Sequence, residues 1–315
     1  MKEEPVIWMF SGQGSQYYQM GRDLYEQNPI FRQSMDHCSS FLKPLIGASL
    51  CEVIYQQNED RFAPFDHTLY THPAICSIQY SMAQTLLQQG FRPDYLLGYS
   101  VGEVAAHIMA GVFSLEEGLK LLVKQASLLE THSSKGSMMA ILASPEMVEN
   151  DPEMFQGTWI AARNFETHFI IVGAVETISL LHGKLVAKQI NSQKLPVSHA
   201  FHSPLMDPIK EVFKTYLSRI PIAEPTIPTI SATYGQRVEK TDPDFLWETT
   251  RSPIDFKKAI EALEAQNDYL YLDIGPSGTL ATFVKYILRP TSTSETLSTI
   301  TPFGNVQKNL DKLSC

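Results

Sequence analysis

Strand-like apolar runs that alternate with helical stretches predict an α/β fold for this chain. Two further observations refine that class. A Gly-x-Ser-x-Gly pattern stands between a predicted strand and a predicted helix at residues 98–102, and a β-α-β-β-α-β succession fills about residues 135–198. Together they predict a large α/β-hydrolase-like unit with a parallel sheet, residues 1–133 and 199–315, into which a small ferredoxin-like subdomain, residues 134–198, is inserted. At 315 residues and 43% hydrophobic composition the chain can bury cores of that size.

The elements follow in order. Pro5 precedes the apolar run Val6-Ile7-Trp8-Met9-Phe10 and the polar turn Ser11-Gly12-Gln13-Gly14-Ser15-Gln16, which reads as a buried strand opening into a glycine loop. Asp94-Tyr95-Leu96-Leu97-Gly98 repeats the pattern, and Ala105, Ala106 and Ala110 suit a helix packed close against a sheet. Ser114 and Glu117 form a capping box for a helix to about Thr131, with Leu115, Leu119, Leu122, Val123, Ala126 and Leu129 at helical spacing. Gln125 is three or four positions from Leu121, Leu122, Leu128 and Leu129, so a polar amide points inward. The insert then reads as a strand at 138–142, a helical stretch after Pro145, strands at 159–162 and 169–173, a helix to about Gln189 and a short strand at 194–197. After Pro208 an amphipathic helix to about Ser218 and further strands return the chain to the large unit.

Charge and cysteine usage exclude several function classes. With 25 Lys and Arg against 34 Asp and Glu, the net charge of -9 argues against a broad duplex-binding surface, so no nucleic-acid partner is expected. No run approaches the roughly 18 apolar residues of a membrane span. The start Met1-Lys2-Glu3-Glu4-Pro5 lacks the apolar stretch of a signal peptide, which predicts a cytoplasmic protein with no membrane partner. Cys38, Cys51, Cys76 and Cys315 are too sparse for a zinc site or a disulfide framework and read as reduced bystanders.

The chemistry centres on Gly98-Tyr99-Ser100-Val101-Gly102. Glycines flank a nucleophilic serine because the strand-to-helix turn is too tight for side chains beside it, and the helix that follows offers unpaired N–H groups to a developing oxyanion. A bare match is more often a turn serine; the strand and helix on either side favour a nucleophile. The serine needs a base, and nine histidines compete for that role. His37, His67, His132 and His182 read as packing or surface residues. His199 and His202, in Ser198-His199-Ala200-Phe201-His202-Ser203-Pro204 just beyond the insert, can both return to a cleft, and periodicity does not choose between them.

These segments, with Gly12-Gln13-Gly14-Ser15-Gln16 and Gly275-Pro276-Ser277-Gly278-Thr279-Leu280, resemble the malonyl-CoA:acyl carrier protein acyltransferase family in order and spacing from about residue 6 to 303. Within it the chain is most similar to the free-standing acyltransferase-like proteins of bacterial trans-acyltransferase polyketide synthase clusters. The resemblance implies a Ser100 and His202 dyad, and an oxyanion hole from the backbone N–H groups of Gln13 and Val101, each such donor worth about 3 to 4 kcal/mol. It also implies that a backbone carbonyl shortly before Pro253 orients the histidine, with Thr249 where Asn or Gln is usual. No metal or redox cofactor is implied, since the acyl group arrives on the phosphopantetheine of a carrier protein or on CoA.

Three departures bear on function. Malonyl-transferring members carry an Arg twenty-five residues after the nucleophile; here Gln125 stands in Val123-Lys124-Gln125-Ala126. A malonyl carboxylate buried there lacks its bidentate partner, at roughly 3 to 5 kcal/mol, about two to four orders of magnitude in acylation. Lys124 points about 100° away on the helix and does not substitute. Tyr99 replaces the usual His before the serine, and His72, in Thr71-His72-Pro73-Ala74, stands where Gln-Pro-Ala is common; it is a pocket wall or a holder of water. Phe201 pulls the other way, because His-Ala-Phe-His is associated with malonyl selection. Asn164 completes the expected pocket set.

The expected function is therefore a trans-acting hydrolase that removes short, uncharged acyl groups from acyl carrier proteins of a polyketide synthase. The alternatives are an acyltransferase moving an acetyl-like group onto a carrier protein, and a silent docking subunit. An acidic carrier is the expected partner, with acyl-CoA as a further substrate, and Lys184, Lys188, Arg163 and Lys194 are docking candidates.

Overall fold

The computed structural model describes residues 4–56, 60–61, 63–304 and 306–314. Cys315 and the first three residues, on which two of the expectations above rest in part, lie outside the described residues. In chain order the strands are β1 (Val6–Phe10), β2 (Tyr95–Gly98), β3 (Gly136–Ile141), β4 (Thr158–Phe165), β5 (His168–Ala174), β6 (Ser192–Lys194), β7 (Thr229–Ser231), β8 (Gln236–Arg237), β9 (Ile254–Asp255), β10 (Leu270–Asp273) and β11 (Glu295–Ser298). They form two sheets, ordered β11-β10-β1-β2-β7-β8 and β6-β3-β5-β4-β9.

In the larger sheet every neighbour from β11 to β7 is parallel, and only β8 returns antiparallel. Helices cover both faces, so a central strand has no solvent side. Ile7, Trp8, Met9 and Phe10 accordingly have no exposed surface. The register pairs Phe10 with Gly98, which sets the loops after β1 and β2 side by side at the carboxyl edge of the sheet. Open α/β sheets bind their ligands at that edge.

The second sheet carries the order β6-β3-β5-β4 with antiparallel pairing, the ferredoxin-like arrangement. Side chains alternate across it. Met139, Ile141, Phe169 and Ile171 pack against Ile178, Leu181 and Leu185 of the helix Val175–Ala187, whereas Met138, Ala140 and Ile170 on the other face line a cleft toward the large unit. Strand β9 comes from the large unit and pairs parallel with β4.

Local boundaries depart from the sequence reading in three places. The strand expected at 194–197 is β6 and ends at Lys194, before Pro196, which has no N–H for a ladder. The helix after Pro145 is one turn, Met147–Asn150. The capping box is half made: Ser114 accepts from the Glu117 N–H at 3.1 Å, but the Glu117 carboxylate pairs with Lys120 at 2.8 Å. The helix itself runs Leu115–His132 and buries Gln125.

Gly102 opens the helix Gly102–Met109 directly over β1. A methyl there runs into the Phe10 carbonyl. Backbone cannot yield as a side chain does, so Gly102→Ala is expected to cost about 3 kcal/mol or more, read as a lowered urea midpoint.

Candidate active site

Both Ser100 and His202 sit on unusual backbone. Ser100 has φ 56° and His202 φ 58°, the left-handed region that a side chain enters only when the surroundings demand it. For Ser100 the demand is the turn from β2 into the helix Gly102–Met109. Gly12 lies against it so closely that a Cβ there would be 2.7 Å from the Ser100 Cβ. For His202 the backbone N–H donates to the Thr250 carbonyl at 3.0 Å, holding the segment after the small sheet onto the large unit.

The two side chains meet: Ser100 Oγ lies 2.8 Å from His202 Nε2. His202 Nδ1 lies 2.8 Å from the Ser252 carbonyl oxygen. A carbonyl can only accept, so Nδ1 carries the proton and Nε2 is free to take one from the serine. Ser252 is the residue directly before Pro253. Burial pushes the His202 pKa down to about 4, against the opposing pull of the Ser252 carbonyl, so the imidazole is neutral at neutral pH. His199 is buried elsewhere, with Nδ1 3.2 Å from the hydroxyls of Thr68 and Ser198.

Gln13 shares the lining of a larger cavity with Ser100, and Val101 that of a smaller one. Val101 caps its helix, so its N–H has no intrahelical acceptor. The Gln13 loop is pinned by Gln16, whose amide donates to the carbonyls of Phe65 and Pro196 at 2.8 and 3.0 Å.

Two cavities open from Ser100. The larger, about 820 Å³, also takes in His202, Gln13, Asn164 and His168 and lies between the two sheets. The smaller, about 20 Å³, is bounded by His72, Val101, Gln125, Phe201 and Thr250 beside the serine. Phe201 borders both and divides them, its ring 5.0 Å from that of His72. Gln125 is 5% exposed, and its Nε2 donates to the Thr250 hydroxyl at 2.7 Å. Lys124 is half-buried and is absent from the lining of the small cavity.

Tyr99 and Asn164 do not border the small cavity; they belong to the large one. The Tyr99 hydroxyl donates to Asn164 Oδ1 at 2.8 Å, and Asn164 Nδ2 donates to His168 Nδ1 at 3.0 Å, a chain from the serine turn to β4 and β5. His168 and Thr250 are not singled out from the sequence, and Ser252 enters only as the unnamed carbonyl expected before Pro253. A cue existed for His168 alone, four residues after Asn164 across the β4–β5 turn; Thr250 and Ser252 act through contacts 125 and 50 residues distant.

Glu103, the residue after Gly102, is buried beneath the serine turn. Ser231 donates to its Oε1 at 2.5 Å, and burial raises its pKa to about 8 despite that bond. A raised acid favours the fold fully below its unfolded value of 4.5 and loses that contribution as pH climbs through 8. The urea stability of Glu103→Gln relative to the parent should therefore improve between pH 5 and 8, by on the order of 1 kcal/mol per pH unit at most.

Of the basic residues proposed for docking, Lys194 borders the large cleft, as does Arg61. Lys184 and Lys188 lie on the outer helix of the small sheet, and Arg163 opens onto a separate groove with Lys257 and Lys258. Cys38, Cys51 and Cys76 are free and buried, and burial raises their thiol pKa values. Among the described residues no helix is long and apolar enough to cross a membrane, and no group of three His, Cys, Asp or Glu side chains is placed to hold a metal.

Residues 7–314 match the model of the acyl transferase domain family. The chain belongs to that family. It is 40% identical to the polyketide biosynthesis acyltransferase homolog PksD of Bacillus subtilis, over 98% of this chain and 95% of that protein. With the homolog BaeD of Bacillus velezensis the identity is 39%, over 98% and 96%. Among solved structures, this acyl transferase domain superposes on that of SpnD with a TM-score of 0.89 at 26% identity, covering 100% of this chain and 77% of the other. MCAT from Streptococcus pneumoniae gives 0.80 at 26%, covering 98% of each.

Proposed function

We propose that this enzyme hydrolyses short, uncharged acyl groups from the phosphopantetheine thioesters of acyl carrier proteins in polyketide biosynthesis. The observation that carries the reading is Gln125, buried beside Ser100 with its amide committed to Thr250. Among the described residues no Lys or Arg lines that end of the site to receive a carboxylate. The free space at that end is about 20 Å³, about what one water needs, which favours an acetyl-sized group.

In this reading the thioester lies in the large cleft with its acyl end toward Gln125. His202 Nε2 takes the Ser100 proton as Oγ attacks the carbonyl, while Nδ1 keeps its proton on the Ser252 carbonyl. The oxyanion is held by the N–H groups of Gln13 and Val101, and the thiol leaves with the proton from Nε2. Water then enters from the large cleft, which His202 borders, gives a proton to Nε2 and attacks the acyl-enzyme; Nε2 returns that proton to Ser100 Oγ as the free acid leaves. The phosphopantetheine comes with the carrier protein, whose acidic surface suits Lys194 and Arg61 at the cleft.

Acetyl- and malonyl-loaded carrier proteins incubated with the enzyme, with an empty second carrier present, test this by intact-protein mass spectrometry. Loss of acetyl to free carrier, at least a hundredfold faster than loss of malonyl, is the expected result. Movement of the acyl mass to the second carrier would instead establish a transferase, the reading that the names of PksD and BaeD favour.

A further inference from the structure

The departure at residue 72 is also a device for selection. His72 has no exposed surface and sits in the long helix Thr68–Gln88, facing the small cavity beside Ser100. Its Nε2 is 3.1 Å from Gln13 Oε1, an oxygen that can only accept, so Nε2 carries the ring proton and Nδ1 is a bare lone pair. That Nδ1 is fully buried and has no hydrogen-bond partner among the described residues. The neighbouring Gln125 donates one N–H to Thr250 and lines the same space. The ring therefore brings an unpaired acceptor to the end of the acyl pocket.

We propose that His72 is a second, independent determinant against carboxylated acyl groups, acting through a buried lone pair that faces the site where the carboxylate would lie. This rests on the reading of the enzyme as acting on uncharged acyl groups. An unpaired acceptor facing a carboxylate repels it, and the penalty is large where water is excluded. Burial keeps the ring neutral, its pKa pushed down to about 3, so it does not become the missing cation. A methyl group or one bridging water meets no such opposition. Restoring an arginine at 125 alone then leaves half of the barrier in place.

The test measures single-turnover acylation of Ser100 by intact mass, with acetyl- and malonyl-carrier proteins, for the parent, Gln125→Arg, His72→Gln and the double variant. Glutamine keeps a donor for Gln13 and offers a second N–H to the pocket. The readout is the malonyl-to-acetyl rate ratio within each protein, which cancels any general loss of activity. Each single variant is expected to raise it by about ten- to thirtyfold and the double variant by about the product of the two, more than about a hundredfold. If Gln125→Arg alone matches the double variant, His72 is not a determinant. If the parent already takes malonyl as fast as acetyl, the reading of its function fails instead. Should His72→Gln melt at the temperature of assay, His72→Leu in the Gln125→Arg background removes the same lone pair, and its ratio must again exceed that of Gln125→Arg.

Discussion

Ser100→Ala is expected to leave the protein folded and to lower thioester turnover by on the order of 10⁴–10⁶-fold. Alanine meets the same left-handed backbone at φ 56°, and the side-chain hydrogen bond recorded for Ser100 Oγ is the one to His202. Little folding energy is therefore lost. What disappears is the atom that carries the acyl group, so the enzyme should gain no acetyl mass when mixed with an acetyl-loaded carrier. Residual turnover would come from the Gln13 and Val101 N–H groups acting on a water directly. Undiminished pathway function in a strain that carries this variant would leave the chain a docking protein.

His202→Ala is expected to fall within about tenfold of Ser100→Ala, and the double variant should be no slower than either single one, because a nucleophile and its base act as one unit. Independent roles would multiply the losses. The parent's pH profile carries the second half of the prediction. Only neutral imidazole can take the Ser100 proton, and burial holds the His202 pKa near 4. The kcat/KM should therefore fall about tenfold per pH unit below 4 and stay level from about pH 5 to 7. A break near 6.5, the ordinary histidine value, would mean that the ring is open to water during acylation.

The fold and the serine turn were legible because local chemistry demanded their residues. Only a glycine fits against Phe10 at position 102, so the serine turn is written in Gly98-Tyr99-Ser100-Val101-Gly102. Four fully buried residues in succession mark β1 as a central parallel strand. The inward turn of Gln125 followed from its leucine neighbours on the helix, and it is buried. Periods of 2 and 3.6 residues are enforced within a single element, and a sequence displays them directly.

Contacts between elements carry no such periodic mark. His199 and His202 are three residues apart, and only the packing of residues 198–203 against the Thr250–Ser252 segment sends the second to Ser100. The two-residue strand β9 is too short to show a period, yet it joins the small sheet to the large unit. Tyr99 is expected from the sequence at the acyl pocket, but only the fold shows that its hydroxyl meets Asn164, with which it lines the large cavity. His72 was visible as an unusual residue, but the direction of its lone pair depends on Gln13, 59 positions away. The sequence by itself determined the elements, the tight serine turn and the absence of a charge at 125, since each rests on steric or periodic rules within a few residues. The tertiary structure alone decided which histidine meets Ser100, its carbonyl partner and the unpaired His72 nitrogen at the small cavity, because hydrogen-bond direction is set by whichever distant atom folding brings within 3 Å.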